Sequence, residues 1–418
     1  MTFTGPVFRP DDPGYREEVE GFQTAFTHHP ALVVGAVDTE DVRLAVEFAA
    51  RNDLPVAVQA TGHGLSAPTD GVLIGTRRMT GLRITGTTAR VEAGVRSGAL
   101  VDAAADLGLA PVNGSSPSVG VVGYTLGGGI GLLAREFGYA ADHVTRLEVV
   151  TADARVRVLE PGDELFGAIL GTGGNFGVVT SLDVALFPVR EVFGGQLLFD
   201  APLVDRAVRT WLDWTRTAPE SVTSSLAVLR YPDLPVLPDH LRGRYAASIR
   251  LAHRGSDGER LVEPLRAIGT PLADDLRVLP YRDCATIHRD PDHPHAYRAA
   301  NAVLSDLPDA SDLLAANREN VVDLRHLGGA LRRRGPAGVA VDHRDAAYAV
   351  RVITAPDREP ALDAVAPWTL GAHPNFTYGP QPLEARTGWS ADTYRALLDL
   401  KTAHDPRNLF RANRNIVG

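Results

Sequence analysis

Hydrophobic and polar positions in the first part of the chain follow the pattern of short strands alternating with helices. Residues 31–34 and 56–58 are short apolar runs, which are typical of buried strands. Between them, Thr39-Glu40-Asp41 is a helix start, and apolar residues then recur at helical spacing over 42–49. The further elements predicted in this way are strands at 72–74 and 89–93 and a helix at 101–107 that ends at Gly108.

The pattern changes after Pro188, where glycine becomes less frequent. Residues 190–370 mix short strands with helices at 205–214 and 258–268, and residues 394–401 form a last predicted helix. A chain of 418 residues is long enough for about two or three domains. The sequence therefore predicts an α+β protein in which a new domain begins near residue 189.

Composition and charge narrow the choice of partners. A hydrophobic fraction of 44% and a charged fraction of 22% are ordinary for a soluble globular protein. The formal net charge is −9, and the one dense basic run, Arg332-Arg333-Arg334, is interpreted as a solvated helix end. Nucleic acid is therefore not expected as a partner, because binding to phosphates requires a clustered basic surface.

The remaining compositional signals concern location and metals. The first residues lack the basic flank and apolar run of a secretory signal, and no apolar stretch approaches the roughly 18–20 residues that span a bilayer. We therefore expect no membrane partner and a cytoplasmic location. Cys284 is the only cysteine, which excludes an internal disulfide and a cysteine-based metal cluster, and no metal site is predicted. Lys401 is the only lysine among 42 basic residues, a bias typical of GC-rich bacterial genomes.

Three glycine-rich loops carry the strongest chemical signal. The first places His63 between Gly62 and Gly64, the second has six glycines within residues 120–131, and the third covers 171–177. Because each glycine loses much backbone entropy on folding, this density indicates that a ligand approaches the backbone closely. Main-chain N–H groups without side chains form a concavity that suits a pyrophosphate. Tight turns in a strand-rich domain are the alternative, which explains one loop more readily than three.

A nicotinamide-binding Rossmann unit is the rival interpretation. It requires a strand, then G-x-G-x-x-G at the start of a helix, then an acidic residue about 20 positions later. Residues 127–131 do not have this spacing, and His63 interrupts the glycines of the first loop. The Rossmann interpretation is therefore not favoured.

The loops resemble, in chain order, the signature loops of one flavoprotein superfamily. The matching segments are Thr61-Gly62-His63-Gly64, residues 117–129 (PSVGVVGYTLGGG), residues 173–180 (GGNFGVVT), and residues 405–410 (DPRNLF) with Asn413 and Asn415 at the C-terminal end. The superfamily is that of vanillyl-alcohol oxidase and p-cresol methylhydroxylase (PCMH). The match is most similar to its berberine-bridge-enzyme-like branch, and it covers residues 27–190 and 370–418 well.

The resemblance implies a fold and a domain organisation. The fold is an α+β arrangement with a PCMH-type FAD-binding domain of two subdomains over residues 1–188, whose core begins at about residue 27. Residues 189–371 are expected to form a substrate-binding domain with a mostly antiparallel sheet backed by helices. Residues 372–418 are expected to return to the FAD domain.

The resemblance also implies that FAD is the cofactor. The family histidine that matches His63 is joined to the C8 methyl group (8α) of the isoalloxazine, and an exposed turn histidine is the alternative. Many members have a second link through a cysteine at the position of Ser116, so attachment through His63 alone is expected. The residues expected to bind FAD are Thr61, Gly62, His63, Gly64, Leu65, Ser66, Ser116, Pro117, Val119, Gly120, Gly123, Tyr124, Gly127, Gly128, Gly174, Asn175, Gly177, Val179, Asn413 and Asn415.

Two residues are candidates for the catalytic base. In the branch, a tyrosine two residues before an Asn-Phe pair often serves as base; here the pair is Asn375-Phe376, and that position is His373. A histidine with a reference pKa of about 6.5 accepts a proton near neutral pH. Tyr378 is the second candidate, and packing at the domain junction is the alternative for both. Val119 matches the family position that gates oxygen access, where valine accompanies oxidase behaviour, so an oxidase is favoured over a dehydrogenase.

Three functions remain open on the sequence. The first is an FAD-dependent oxidase of secondary metabolism, acting on a small alcohol, amine or polyketide-like compound with O2 as acceptor. The second uses FAD without net oxidation, as a cyclase, isomerase or dehydratase-like enzyme. The third is a flavin-free binding protein, against which the glycine loops and His63 argue. Substrate identity depends on residues 190–370, which contain no recognisable motif.

Overall fold

Three β-sheets form the framework of the molecule. The computed structural model of the chain describes residues 2–65, 67–235, 237–239, 241–335, 338–378, 385–412 and 414–418. Within these ranges the sheets follow one another along the sequence, and each has its own buried apolar cluster. The third sheet begins at Glu191, close to the point near residue 189 where the sequence pattern changes.

The first sheet is small and mixed. Its described strands are β1 (Val7–Phe8), β2 (Leu32–Gly35), β3 (Val56–Gln59) and β4 (Val72–Gly75), in the order β1-β2-β4-β3. Strands β2 and β3 both run parallel to β4, and the short α1 (Tyr15–Val19) and the long α2 (Thr39–Asn52) pack on them. The Asp38 side chain accepts from the Asp41 N–H at the start of α2, which satisfies a backbone donor that the helix cannot.

The second sheet is antiparallel and carries the second and third glycine loops. Its described strands are β5 (Leu82–Thr85), β6 (Thr88–Glu92), β7 (Val144–Val150), β8 (Val156–Leu159) and β9 (Val178–Ala185), in the order β5-β6-β9-β7-β8. The helices of this region are α3 (Ser97–Ala105), α4 (Val121–Leu126), α5 (Ala134–Phe137) and α6 (Glu164–Ile169). The second loop contains α4, and the third loop joins α6 to β9.

The third sheet is the largest and is antiparallel throughout its described pairings. Its strands are β10 (Glu191–Asp200), β11 (Val222–Arg230), β12 (Tyr245–His253), β13 (Ala273–Asp274), β14 (Arg277–Pro280), β15 (Arg298–Leu304), β16 (Val321–His326), β17 (Tyr348–Thr354) and β18 (Thr369–Gly371). They are ordered β13-β10-β12-β11-β16-β17-β15-β18, and β14 also pairs with β10. The helices on this sheet are α7 (Val204–Thr215), α8 (Gly258–Arg266) and α9 (Ser311–Ala316).

The two faces of the third sheet differ in polarity because apolar and polar residues alternate along its strands. Leu324 and Val350 belong to the apolar cluster that includes the helices, whereas their neighbours Asp323, Arg325 and Arg351 do not. Successive side chains of a strand point to opposite faces. One face is therefore packed against helices, and the other presents charged groups.

The C-terminal segment contacts the first two sheets. Helix α10 (Ala391–His404) begins at the cap Ser390, whose side chain accepts from the Thr393 N–H. Beyond it, the Leu409 carbonyl accepts from the Val56 N–H at 2.9 Å, and the Ile416 N–H donates to Asn175 Oδ1 at 3.1 Å. The short 3₁₀ segments of the described chain are Ala140–His143, Ala201–Leu203, Tyr281–Ile287, Gly329–Arg332, Asp363–Trp368, Pro374–Phe376 and Ala385–Gly388. The α+β fold class is confirmed. None of the described helices has the length and apolar content needed to cross a bilayer.

Candidate active site

A cavity of about 400 Å³ lies where the three glycine loops meet the charged face of the third sheet. The loops contribute backbone and mostly small side chains, and strands β16 and β17 contribute the charged side chains of Arg325 and Arg351. From the sequence-predicted set, the cavity is lined by Thr61, Gly62, His63, Gly64, Leu65, Ser116, Val119, Gly120, Gly123, Tyr124, Gly174, Gly177, Val179 and Tyr378. The fold thus brings together most of the residues that the loop motifs predict.

The His63 imidazole is held in a defined orientation at one end of the cavity. Its Nδ1 lies 2.9 Å from Thr61 Oγ1 and its Nε2 lies 3.1 Å from Ser118 Oγ. The ring stacks on Phe22, and the His63 carbonyl accepts from the Tyr297 hydroxyl at 3.1 Å. Burial, reinforced by the positive charge of Arg96, lowers the pKa of His63 to about 4. The imidazole is therefore neutral at pH 7 and retains an electron pair on one ring nitrogen.

One glycine from each loop faces open space in the cavity. A Cβ atom added to Gly64, Gly123 or Gly174 would meet no protein atom within 4 Å, yet all three line the cavity. Gly174 also has a φ of +99°, which L side chains rarely adopt. Side chains at these positions would project into the volume that a ligand needs. This arrangement is a cradle for a ligand that lies against the main chain.

The charged wall consists of Asp323, Arg325 and Arg351, which sequence reasoning did not identify. Asp323 Oδ2 accepts from Arg325 Nε at 3.0 Å and from Arg351 Nη2 at 3.1 Å. Both guanidinium groups lie over the Phe376 ring, 4.9 and 5.1 Å from its centroid. Asp323 is desolvated, but the positive charges of Arg325 and Arg351 hold its pKa well below the ordinary value. The carboxylate is thus a fixed anion between two fixed cations.

Comparison with known proteins identifies the ligand that this cradle suits. Residues 30–160 match the family described as FAD binding domain. The chain is 30% identical over 300 residues to (R)-6-hydroxynicotine oxidase of Paenarthrobacter nicotinovorans, across 69% of this chain and 64% of that enzyme. The chain thus spans a little under two thirds of that relative. It is 25% identical over 455 residues to the FAD-linked oxidoreductase YgaK of Bacillus subtilis (strain 168), covering 99% of this chain and 97% of YgaK.

A comparison with solved structures shows a similar relationship. The crystal structure of 6-hydroxy-D-nicotine oxidase from Arthrobacter nicotinovorans superimposes with a TM-score of 0.85 at 25% identity, covering 99% of this chain and 98% of that one. Over its whole length the chain is thus similar to FAD-linked oxidoreductases. Its FAD-binding domain indicates that the cofactor is FAD. The three open glycines fit this assignment, because FAD carries a pyrophosphate and a planar ring that both require close approach to the backbone.

Several residues predicted to bind FAD do not line the cavity of this flavoprotein. Gly127 and Gly128 instead allow the second loop to pack against the segment of Asn375 and His373, since a Cβ at Gly127 would collide with the Asn375 side chain. Asn175 binds the C-terminal segment through its Oδ1 and its carbonyl. Pro117 and Asn415 also lie off the cavity. Ser66 and Asn413 fall outside the described residues.

The predicted position of His373 on the substrate side is wrong. His373 is buried on the far side of the Asn375 segment, beside Tyr139, and it does not line the cavity. Its Nδ1 accepts from the Asn375 N–H at 3.2 Å, which caps the turn, and Asn301 Oδ1 accepts from its backbone N–H at 2.7 Å. Burial lowers its pKa to about 3. His373 therefore stabilises the loop rather than meeting the substrate.

Tyr378, the second candidate, does line the cavity. Its backbone forms an antiparallel bridge with Ala299 of β15, and its ring meets that of Tyr297 edge-on at 5.5 Å. The bridge fixes the tyrosine on the charged face of the third sheet. Among the candidate bases that the sequence suggested, Tyr378 is the one with access to a bound substrate.

Ser116 takes part in a hydrogen-bonded chain that leads to His63. Ser116 Oγ lies 3.0 Å from Ser118 Oγ, which in turn contacts His63 Nε2. A hydroxyl at this position orients the imidazole through Ser118. The described residues contain no cluster of three or more acidic, histidine or cysteine side chains suited to a metal ion.

Proposed function

We propose that this protein is an oxidase that carries FAD covalently on His63 alone and oxidises a small alcohol, amine or polyketide-like compound. Electrons pass to O2, so that one secondary alcohol and one O2 give one ketone and one H2O2. The observation that carries the proposal is the cavity that joins the glycine cradle and His63 to Tyr378. FAD, when bound, supplies the two-electron acceptor.

The state of His63 supports covalent attachment. A neutral imidazole nitrogen has the electron pair that a bond to the 8α carbon would require. That bond would replace one C–H bond of the methyl group, and the two electrons released would pass through the flavin to O2. The lowered pKa of about 4 keeps His63 neutral at physiological pH. Stacking on Phe22 and the contact with Ser118 hold the ring in one orientation. Ser116 has no thiol, so a second attachment is not expected.

Tyr378 is proposed to manage the substrate proton. Removal of a hydride from a C–H bond is faster when a base takes the proton of the adjacent O–H or N–H group. Tyr378 lines the cavity and interacts with Arg351, which holds the phenol hydroxyl in position there. Val119 lines the same cavity, and its side chain is the one that we propose to control access of O2.

The decisive experiment is an anaerobic screen of alcohols, amines and phenolic polyketides, followed by absorbance of the flavin. A substrate bleaches the visible flavin band, and admission of air restores it with one equivalent of H2O2. Bleaching that air does not reverse, with an artificial acceptor required, would make the enzyme a dehydrogenase. Conversion of a compound without any bleaching would overturn the oxidase proposal altogether. The relatives are named oxidoreductases and oxidases, so a non-oxidative role is not favoured.

A further inference from the structure

The charged face of the third sheet is assembled from neighbouring strands. Asp323 of β16 is directly opposite Arg351 of β17, and Arg325 is two residues further along β16, on the same face. Arg325 is opposite Ser225, which is in turn opposite Arg250 of β12. Three guanidinium groups are thus arranged around one carboxylate on a face that borders the cavity.

Positive charge exceeds negative charge in this cluster. Asp323 is 2% exposed and forms ion pairs with Arg325 and Arg351. Arg250 Nη1 lies 3.8 Å from Asp323 Oδ1. The second nearby carboxylate, Asp290, interacts with Arg250 and Arg351 and also accepts from the Ser115 hydroxyl. Burial and the adjacent Arg250 hold the pKa of His288 well below its ordinary value, so that imidazole adds no charge at pH 7. Three arginines against two aspartates leave one cation uncompensated.

The open donors of the cluster belong to the two arginines that line the cavity. The Nε of Arg351 is buried without a hydrogen-bond partner in the described structure. Arg325 donates from Nε to Asp323, and its Nη groups have no acceptor among the described residues. Their side chains are only 12% and 18% exposed. A buried guanidinium with unused N–H groups is costly unless an anion accepts from it.

The shape of these donors selects the anion. A guanidinium presents its N–H groups as a planar fork that matches the two oxygens of a carboxylate. The Phe376 ring packs against both guanidinium groups. Tyr378, the proposed base, interacts with Arg351. A carboxylate held by the arginines would therefore bring the rest of its molecule next to Tyr378.

We propose that Arg325 and Arg351 form a carboxylate subsite and that the substrate is a small organic acid, oxidised at a carbon outside the carboxylate. The inference rests on the proposed function, because it assigns the substrate class to the same cavity. The carboxylate itself undergoes no reaction and serves to orient the substrate. Arg325 and Arg351 are thus positioning groups that set affinity.

The test titrates the flavin-loaded protein with acetate and benzoate, and in parallel with the neutral analogues acetamide and benzamide. Binding is followed through the flavin absorbance spectrum and by calorimetry. The acids are expected to bind at least tenfold more tightly than the amides. Arg325→Gln should weaken binding of the acids about tenfold or more and leave the amides unchanged. Arg230→Gln is the matched control, since Arg230 lies on the same sheet, pairs with Glu319 and is remote from the cavity.

A second variant and a second readout keep the outcomes distinct. Arg325→Lys retains the charge but not the fork, so an intermediate loss of acid binding is expected even if Arg325→Gln fails to fold. Equal affinity for acids and amides in wild-type protein would overturn the inference. A shift of the flavin reduction potential in Arg325→Lys, with acid binding unchanged, would assign the arginine to the flavin and overturn it as well. Protein that purifies without flavin and does not take it up would instead refute the proposed function.

Discussion

The imidazole of His63 stacks on the ring of Phe22, with centroids 3.7 Å apart and planes inclined by 12°. Together with the contact between Nε2 and Ser118 Oγ, this stacking leaves the imidazole little freedom to rotate. His63→Ala is expected to abolish covalent flavin, because no other described side chain of the first loop offers a nucleophilic nitrogen to the cavity. Denaturation in acid followed by gel fluorescence under ultraviolet light measures the attached flavin.

The control for His63 is His295→Ala. His295 also lines the cavity and touches the edge of Phe22, with centroids 5.4 Å apart. This variant is expected to keep its fluorescence on the protein band. Fluorescent protein from His63→Ala would show that the flavin is attached elsewhere.

Gly64→Val is expected to prevent FAD binding without unfolding the chain. A Cβ at Gly64 meets nothing within 4 Å and requires no unusual φ, so the new side chain fits the protein but occupies the cavity. Gly62 is a poorer test, because its Cβ would lie 2.5 Å from the Gly21 Cα. Flavin content per chain, read from the absorbance spectrum after purification, should fall by at least tenfold.

The matched control is Gly388→Val, whose Cβ would lie 4.0 Å from its nearest neighbour, Pro374 Cγ, and away from the cavity. It should bind a full complement of flavin. If Gly64→Val did the same, the first loop would not be the FAD cradle.

Local sequence signals predicted the regular elements well because they act over a few residues. The helix expected from Thr39 begins there, capped by Asp38, and ends at Asn52, where Asp53 follows with a φ of +55°. The helix expected at 101–107 begins earlier, at Ser97, but Gly108 follows it with a φ of +69°. The glycine loops were recognisable for the same reason, since close backbone approach depends on glycine itself.

The position of His373 was not predictable from spacing. A strand would place residues 373 and 375 on the same face, but Pro374–Phe376 form a 3₁₀ turn instead. The His373 ring caps that turn, while Phe376 and Tyr378 line the cavity. The direction of a side chain in an irregular segment depends on tertiary contacts, here with Asn301.

The charged wall illustrates a second limit of prediction from the sequence. Alternation in Val322-Asp323-Leu324-Arg325 signals a strand with one polar face, and this signal was available in the sequence. The meeting of Asp323 with Arg351 depends on the register between β16 and β17, which are joined by a long connection. Register between such strands is set by packing and not by either segment alone.

Tyr378→Phe is expected to slow anaerobic flavin reduction by a good substrate by about 10²–10⁴, the usual contribution of one general base. The variant keeps the ring that meets Tyr297, so flavin content should be unchanged. Stopped-flow absorbance gives the rate. His373→Asn serves as the comparison, since it should change stability more than the reduction rate. A loss below tenfold in Tyr378→Phe would assign proton removal to another group.

Acid should destabilise the folded protein partly through His28. Burial, with the nearby His29, lowers the pKa of His28 to about 4, and its Nδ1 accepts from the Thr69 N–H at 3.0 Å. Between pH 6.5 and 4 the unfolded chain therefore binds a proton that the folded chain does not. Stability must fall as the pH falls through this range, by about 3 kcal/mol for this residue.

The variant His28→Asn removes this titration while keeping an acceptor for Thr69. Urea midpoints at pH 7 and pH 4.5 should differ less in the variant than in the wild type. His29→Asn is the control. An identical pH dependence for wild type and His28→Asn would mean that His28 is protonated in the folded state.

The C-terminal segment is held by the only lysine of the chain, and its removal gives the largest expected loss of stability. Lys401 Nζ donates to Asp405 Oδ2 at 2.8 Å, to the Asn175 carbonyl at 2.7 Å and to the Phe410 carbonyl at 3.0 Å. Lys401→Met leaves the buried Asp405 carboxylate without its counter-ion, which typically costs about 3–5 kcal/mol. Arg395→Gln, on the same helix in an exposed pair with Asp392, should cost at most about 1 kcal/mol.

Urea unfolding followed by tryptophan fluorescence compares the stabilities of the two variants. The double variant Lys401→Met, Asp405→Asn should recover part of the loss, since it removes the unpaired buried carboxylate. Equal stability of the lysine and arginine variants would show that the ion pair is not needed to hold the C-terminal segment against the third glycine loop.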